Sequence, residues 1–211
     1  MIFLSVAFAL FAICINILIE GERNITSGIE EKINCREFIK DFLGVCGDSV
    51  DKILIVKRDY QYNAFKNVIG IPNSDSNKIF DVISTLHEAG HYKILNENEV
   101  NIEIYRLSQY LIAVNRIIII PLIVIAFLFF GKIYIMLIIF CLGATLIRLA
   151  VGITNEYLAS RVAYQYIKHK FIYEYAKIAK KMYIYCFLNQ LSLTLCIGFL
   201  MVALYFGNIK H

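Results

Sequence analysis

Four long apolar runs constrain this chain more than any other feature: Met1–Ile19, about Leu111–Phe130, about Ile133–Gly152 and about Tyr183–Phe206. A helix needs about 20 apolar residues to cross a bilayer, and each run is close to that length. Apolar side chains make up 59% of the 211 residues and charged ones only 18%, where soluble domains carry about 45–50% and 25%. The expected fold class is a mainly α, multi-pass membrane protein with four transmembrane helices. The organisation that follows is an N-terminal anchor over 1–19, a polar segment over 20–110 and a transmembrane hairpin over 111–152. A second polar segment spans 153–182, and a last transmembrane helix 183–206. The first run lacks a basic start, and Ala7 and Ala9 lie inside it rather than after it. It reads as an uncleaved anchor, not a signal peptide.

Lysine and arginine set the expected orientation. With four spans the two polar segments share one side and hold 17 of these residues, while the other side holds Lys132 and Lys210. The positive-inside rule then places both polar segments in the cytoplasm and both termini outside a plasma membrane. Arg116 and Arg148 are nearly equidistant from the hairpin turn at Gly131 and Lys132. At 1.5 Å per residue they fall about 22–24 Å from it, where they are expected to snorkel to the inner headgroups. The stretch "YQYIKHKFIYEYAKIAKKMYIY" combines tyrosine and lysine as that boundary favours. A net charge of +4 gives no reason to expect a nucleic-acid partner; the lipid bilayer is the expected one. Cys14, Cys141, Cys186 and Cys196 fall in the spans, and Cys35 and Cys46 lack metal-type spacing. No disulfide framework is expected.

Within 20–110, "SGIEEKINCREFIKDFLGVCG" reads as a helix. Ser27 and Glu30 match a capping box, Ile29, Ile33, Phe38 and Phe42 form an apolar stripe, and Gly44 and Gly47 end it. "KILIVKR" and "FKNVIGI" read as two strands of a hairpin around "DYQYNA". Pro72 ends the second strand, and "NSDS" offers N-caps for a helix over about Asp75–Leu95. Ile79, Ile83, Leu86, Gly90 and Ile94 follow helical spacing along it, so one face packs inward.

That helix carries "HEAGH", residues 87–91. Positions i and i+4 share a helix face, so His87 and His91 can present two imidazole nitrogens to one ion at about 2.0–2.1 Å. Glu88 points to the side of the pair, where it can hold a water and take its proton. Gly90 leaves room for a second backbone or a substrate. A catalytic zinc also needs a third protein ligand and an open position. "TNEYLASRVAYQY" offers Glu156 on the same expected side, about 12 Å past Arg148 along a continuing helix. Glu174 is its acidic competitor in that segment.

"HEAGH" followed by "NEYLASRVA" resembles the His-Glu-x-x-His plus Glu-x-x-Ala pattern of gluzincin-type membrane metallopeptidases. The order of anchor, short αβ segment, zinc helix, membrane hairpin, third-ligand helix and last span is similar to that of the YugP-type enzymes. HtpX-like proteases are more distant. The resemblance implies a small α/β cytoplasmic part of zincin type and one Zn2+ per chain held by His87, His91 and Glu156. It further implies Glu88 as general base and membrane-associated protein or peptide substrates. Many gluzincins carry Asp four residues after the ligand glutamate; here that position is Ser160, as in YugP-like sequences, and serine is a weaker acceptor for a zinc histidine. Arg161 and His169 are candidates for stabilising an oxyanion, though each reads first as a solvated or lipid-facing charge. "FKNVIGI" would offer its edge to an extended substrate.

Asp75, Lys78 and Asp81 exclude the motif helix from the bilayer interior, so the site is expected beside the membrane. The expected function is that of a membrane-bound zinc-dependent metalloendopeptidase. A non-catalytic protein with a structural, sensory or decayed zinc site is the alternative, and it leaves Glu88 without a role. A metal-ion transporter would need ligands within the spans, which hold no His, Asp or Glu.

Overall fold

The computed structural model describes residues 1–44, 49–97, 101–130 and 135–209. In chain order its elements begin with α1 (Ile2–Thr26), α2 (Cys35–Leu43), α3 (Ser49–Ile53), β1 (Leu54–Val56), β2 (Gln61–Asn63), β3 (Val68–Ile71) and α4 (Ile79–Asn96). They continue with α5 (Ile102–Val114), α6 (Ile120–Phe130), α7 (Ile135–Ile147), α8 (Ile153–Lys170) and α9 (Tyr173–Ile209). Two units emerge. One joins Met1–Asn16, Glu103–Thr154 and Phe187–His211; the other joins Ile17–Ile102 and Asn155–Cys186.

Among the described residues the apolar runs become helix from Ile2 onward. Ile2–Thr26, Ile102–Ala126, Ile135–Lys170 and Tyr173–Gly207 are long and apolar enough to cross a membrane, the mark of a membrane protein. In the first unit Ile123, Ile138, Cys141 and Met201 pack together, while Phe3, Phe129 and Met136 stay exposed; outward apolar surface of this kind suits lipid. Ser5 donates to the Cys196 carbonyl at 3.0 Å, and the rings of Phe8 and Phe199 stack with centroids 5.6 Å apart. The turn expected at Gly131 and Lys132 lies outside the described residues. Arg116 and Arg148 are not placed independently: each sits on a π-helical turn, Asn115–Ile119 and Arg148–Gly152, and both border one cavity. Arg148 donates to the Gln190 side chain.

The second unit builds the sheet in the order β1-β3-β2. Its connectivity differs from the expected hairpin. "DYQYNA" contains β2, which runs antiparallel to β3 with Tyr62 opposite Ile69, while β1 runs parallel to β3 with Leu54 opposite Ile69. The hairpin is closed by side-chain chemistry: Asn63 Oδ1 accepts from the Phe65 and Lys66 N–H groups, and Asn67 adopts φ 52, a left-handed conformation that asparagine tolerates. Strand β3 is paired on both sides, so the edge expected to receive an extended substrate is already used. Pro72 follows its last residue, Ile71, as expected.

Helix α2 starts at Cys35, not near Ser27. Asn34 is its cap, accepting the Glu37 N–H at 3.0 Å. Ser27 instead donates to the Asn24 carbonyl as the chain leaves α1, and Glu30 forms a β-bridge with Lys78. Gly44 ends the helix at φ 65; Gly47 lies outside the described residues. Helix α4 starts at Ile79 rather than Asp75, and the reason is tertiary. The Ser74, Ser76 and Asn77 carbonyls accept from Arg36, Cys35 and Glu31 N–H groups at 3.1, 2.9 and 2.8 Å. Carbonyls that satisfy the start of α2 hold this stretch outside the helix. Beyond it, Ile79, Ile83, Leu86, Gly90 and Ile94 are buried, as their spacing predicts. Ile79, Ile83 and Leu86 pack with Ile39 and Phe42 of α2, Ile69 and Ile71 of β3, Ala163 and Ile167 of α8, and Ala179 and Met182 of α9.

Cys35 opens α2, a place that favours a thiolate, but burial wins and pushes its thiol up to about 11. At about pH 8 the folded protein is expected to keep Cys35 unalkylated by iodoacetamide, because the thiolate is the reactive form. Peptide mapping by mass spectrometry should find the label only after denaturation; fast labelling of folded protein would contradict the burial.

Candidate metal centre

Helices α4 and α8 approach where neither carries bulk. A Cβ on Gly90 would lie 2.5 Å from the Ala159 carbonyl oxygen, closer than any side chain tolerates, and Ala159 is itself fully buried. Glu156 stands one helical turn before Ala159 and so comes opposite the two histidines. Its Oε2 lies 3.3 Å from His87 Nε2 and 3.6 Å from His91 Nε2. Ligand atoms held tetrahedrally at about 2.0–2.1 Å from one zinc are about 3.3–3.4 Å apart. Both separations are close to that spacing, and the three ligand atoms all lie within 4.8 Å of one another.

The far nitrogens are held as well. His87 Nδ1 is 3.2 Å from Ser160 Oγ, and His91 Nδ1 is hydrogen-bonded to Asn155 Oδ1. When Asn155 accepts the Nδ1 proton, the His91 lone pair sits on Nε2 and faces Glu156. Ser160 does the same for His87. Histidines that bind metals commonly have the other ring nitrogen held in this way. Asn155 is fully buried and its Nδ2 has no hydrogen-bond partner, so its oxygen rather than its amide is committed to the imidazole.

Burial disfavours a charge on His91, but the Glu156 carboxylate beside it outweighs that and raises its pKa to about 9. At neutral pH the metal-free centre keeps a proton where a cation would bind. Aromatic rings wall the pair. Tyr62 lies nearly parallel to His91, 13° between planes and 6.3 Å between centroids, and Tyr183 stands 5.4 Å from His87.

Glu88 is half-buried and, with His87, borders a cavity of about 240 Å³ walled by Tyr60, Phe80, Met182 and Tyr183. The phenols are already engaged as donors, Tyr60 to Asp81 at 2.5 Å and Tyr183 to the Ile83 carbonyl at 2.9 Å. Arg161 and His169 are exposed on α8, and Glu174 is exposed at the start of α9; none of the three joins the cluster of His87, His91 and Glu156. Asn155 was missed in the sequence. The available signal was its position four residues before Ala159, on the α8 face that meets Gly90.

No protein-family model, curated protein or solved structure matches this chain.

Three outcomes are expected from this geometry. Asn155→Ala should weaken zinc binding about 10–100-fold, the usual cost of losing the partner of a metal histidine, while Asn155→Asp keeps the acceptor and the affinity. Gly90→Ala should separate the helices and lower stability by about 1–3 kcal/mol, as overpacking does, read from thermal unfolding in detergent. The pH dependence follows from His91. Its pKa is raised, so the proton stays on up to about 9 and must leave before a cation binds. Zinc affinity by chelator competition should therefore rise about tenfold per pH unit below that value and level above it. A flat profile would contradict the assignment.

Proposed function

We propose that this chain is a membrane-bound zinc metalloendopeptidase that hydrolyses peptide bonds of membrane or membrane-proximal proteins and holds one Zn2+ per chain. The observation that carries the reading is the single Glu156 carboxylate oxygen set at ion spacing from the Nε2 atoms of His87 and His91, with Glu88 in the next position of the same helix. Among the described residues the group has three members. Three protein ligands leave a fourth position open, the pattern of catalytic rather than structural zinc sites. The likeness of "HEAGH" and "NEYLASRVA" to the gluzincins of YugP type supports the same conclusion.

Zinc held there would supply Lewis acidity, polarising a peptide carbonyl and lowering the pKa of water to about 7. The chain's own residues do the rest. Ser160 and Asn155 orient the imidazoles so that both Nε2 lone pairs converge. Glu88 takes a proton from the attacking water and returns it to the departing amide nitrogen, a role worth about 10²–10⁴-fold. The cavity beside Glu88 is walled by aromatic and aliphatic groups, so it takes an apolar side chain of the substrate next to the scissile bond. The excess of Lys and Arg in residues 20–110 and 153–182 supports placing this site in the cytoplasm, with both termini outside the plasma membrane.

The test uses detergent-purified full chain and casein as the substrate. Glu88→Gln should keep about one zinc per chain and lose at least about 100-fold in hydrolysis. Glu156→Ala should lose the zinc, and Glu174→Ala should keep it. A zinc-free purified protein, or a Glu88→Gln variant of full activity, would overturn the reading.

A further inference from the structure

The first unit holds a polar cluster that the peptidase reading does not use. Asn115 is 5% exposed and Thr194 likewise 5%, and with Thr145, Arg116 and Arg148 they line one cavity between apolar helices. Each arginine belongs to a π-helical turn, Arg116 to Asn115–Ile119 and Arg148 to Arg148–Gly152. Such turns are rare and recur at functional sites. Gly152 makes room for the second arginine: a Cβ there would stand 3.3 Å from Arg148 Cδ and 3.6 Å from its Nε.

The hydrogen-bond inventory is incomplete. Arg148 donates from one Nη to Gln190, yet its Nε is a buried donor with no partner. Thr145 and Thr194 spend their hydroxyl protons on the Cys141 and Gln190 carbonyls at 2.8 and 2.7 Å. No carboxylate lines the cavity among the described residues. Arg116 is exposed and Arg148 half-buried, and two like charges that border one cavity repel each other less when an anion lies between them. The cavity measures about 20 Å³, room for about one water-sized atom. An anion therefore enters by an oxygen and leaves its body outside.

We propose that Arg116 and Arg148 bind a phosphate oxyanion, the chemistry of an anionic phospholipid headgroup or of free phosphate. Arginine is suited to this because its planar fork donates two parallel hydrogen bonds to phosphate oxygens. Basic pockets between transmembrane helices bind lipid headgroups on the same principle. The site is independent of the metal centre.

The experiment titrates the full chain in neutral detergent with phosphatidylglycerol, phosphatidylcholine or inorganic phosphate. Native mass spectrometry reads bound lipid, and tyrosine absorbance reads the unfolding midpoint, since the chain has no tryptophan. Phosphatidylglycerol should bind at one per chain and raise the midpoint, and phosphatidylcholine should do neither. Competition by millimolar phosphate identifies a site that also takes the free ion; its failure identifies the lipid as the source. Arg116→Gln with Arg148→Gln should weaken phosphatidylglycerol binding at least about tenfold, while Arg161→Gln, which does not line the cavity, should not. Arg148→Lys and Gly152→Ala keep the charge but disturb the fork, and should each weaken binding if the double variant does not fold. Equal binding of both lipids with no response to phosphate, or full binding by the arginine variants, would overturn the proposal.

Discussion

The close crossing of α4 and α8 is the contact on which the rest of the proposed metal centre depends. At Gly90 the distance to the Ala159 carbonyl leaves no space for even a methyl group. Two helix backbones that approach so closely fix the register between their neighbours. One turn away on α4 stands His87; one turn away on α8 stands Glu156. The small residues in "HEAGH" and "NEYLAS" are thus part of the same device as the ligands between them. Packing around the crossing is dense, with Ile83, Leu86, Ala163 and Ile167 fully buried, and dense cores resist the small shifts that would separate ligand atoms.

That rigidity carries an electrostatic burden. His87, His91 and Asn155 are buried, and polar groups taken out of water need partners. Ser160 and Asn155 satisfy the Nδ1 atoms, which leaves both Nε2 atoms and one carboxylate facing the same point. Without a cation, that point is filled by the proton which Glu156 holds on His91. In the proposed centre a metal ion would compete with that proton for one site.

Much of this was legible in the sequence, and the exceptions share a cause. Hydropathy located four helices because span length depends only on local composition. The period of Ile79, Ile83, Leu86, Gly90 and Ile94 identified the buried face of α4 for the same reason. Glu156 was reachable because it combined an acidic residue with a helix. The start of α2 was not, since the spacing of Ser27 and Glu30 satisfies a cap rule while the chain there is still leaving α1. Nor was the start of α4, whose preceding carbonyls serve a distant helix, or the parallel pairing of β1 with β3. Asn155 and the shared cavity of Arg116 and Arg148 belong to the same class: a buried amide and two π turns respond to neighbours far along the chain, which no local pattern records.

The proposed centre has two imidazoles, one carboxylate and an open position. X-ray absorption at the zinc edge of the purified full chain addresses it directly. A nitrogen and oxygen shell at about 2.0–2.1 Å with imidazole scattering from two histidines is the expected result. A sulfur shell at about 2.3 Å would mean that a cysteine binds the ion, and the assignment of Glu156 as the third ligand would be wrong.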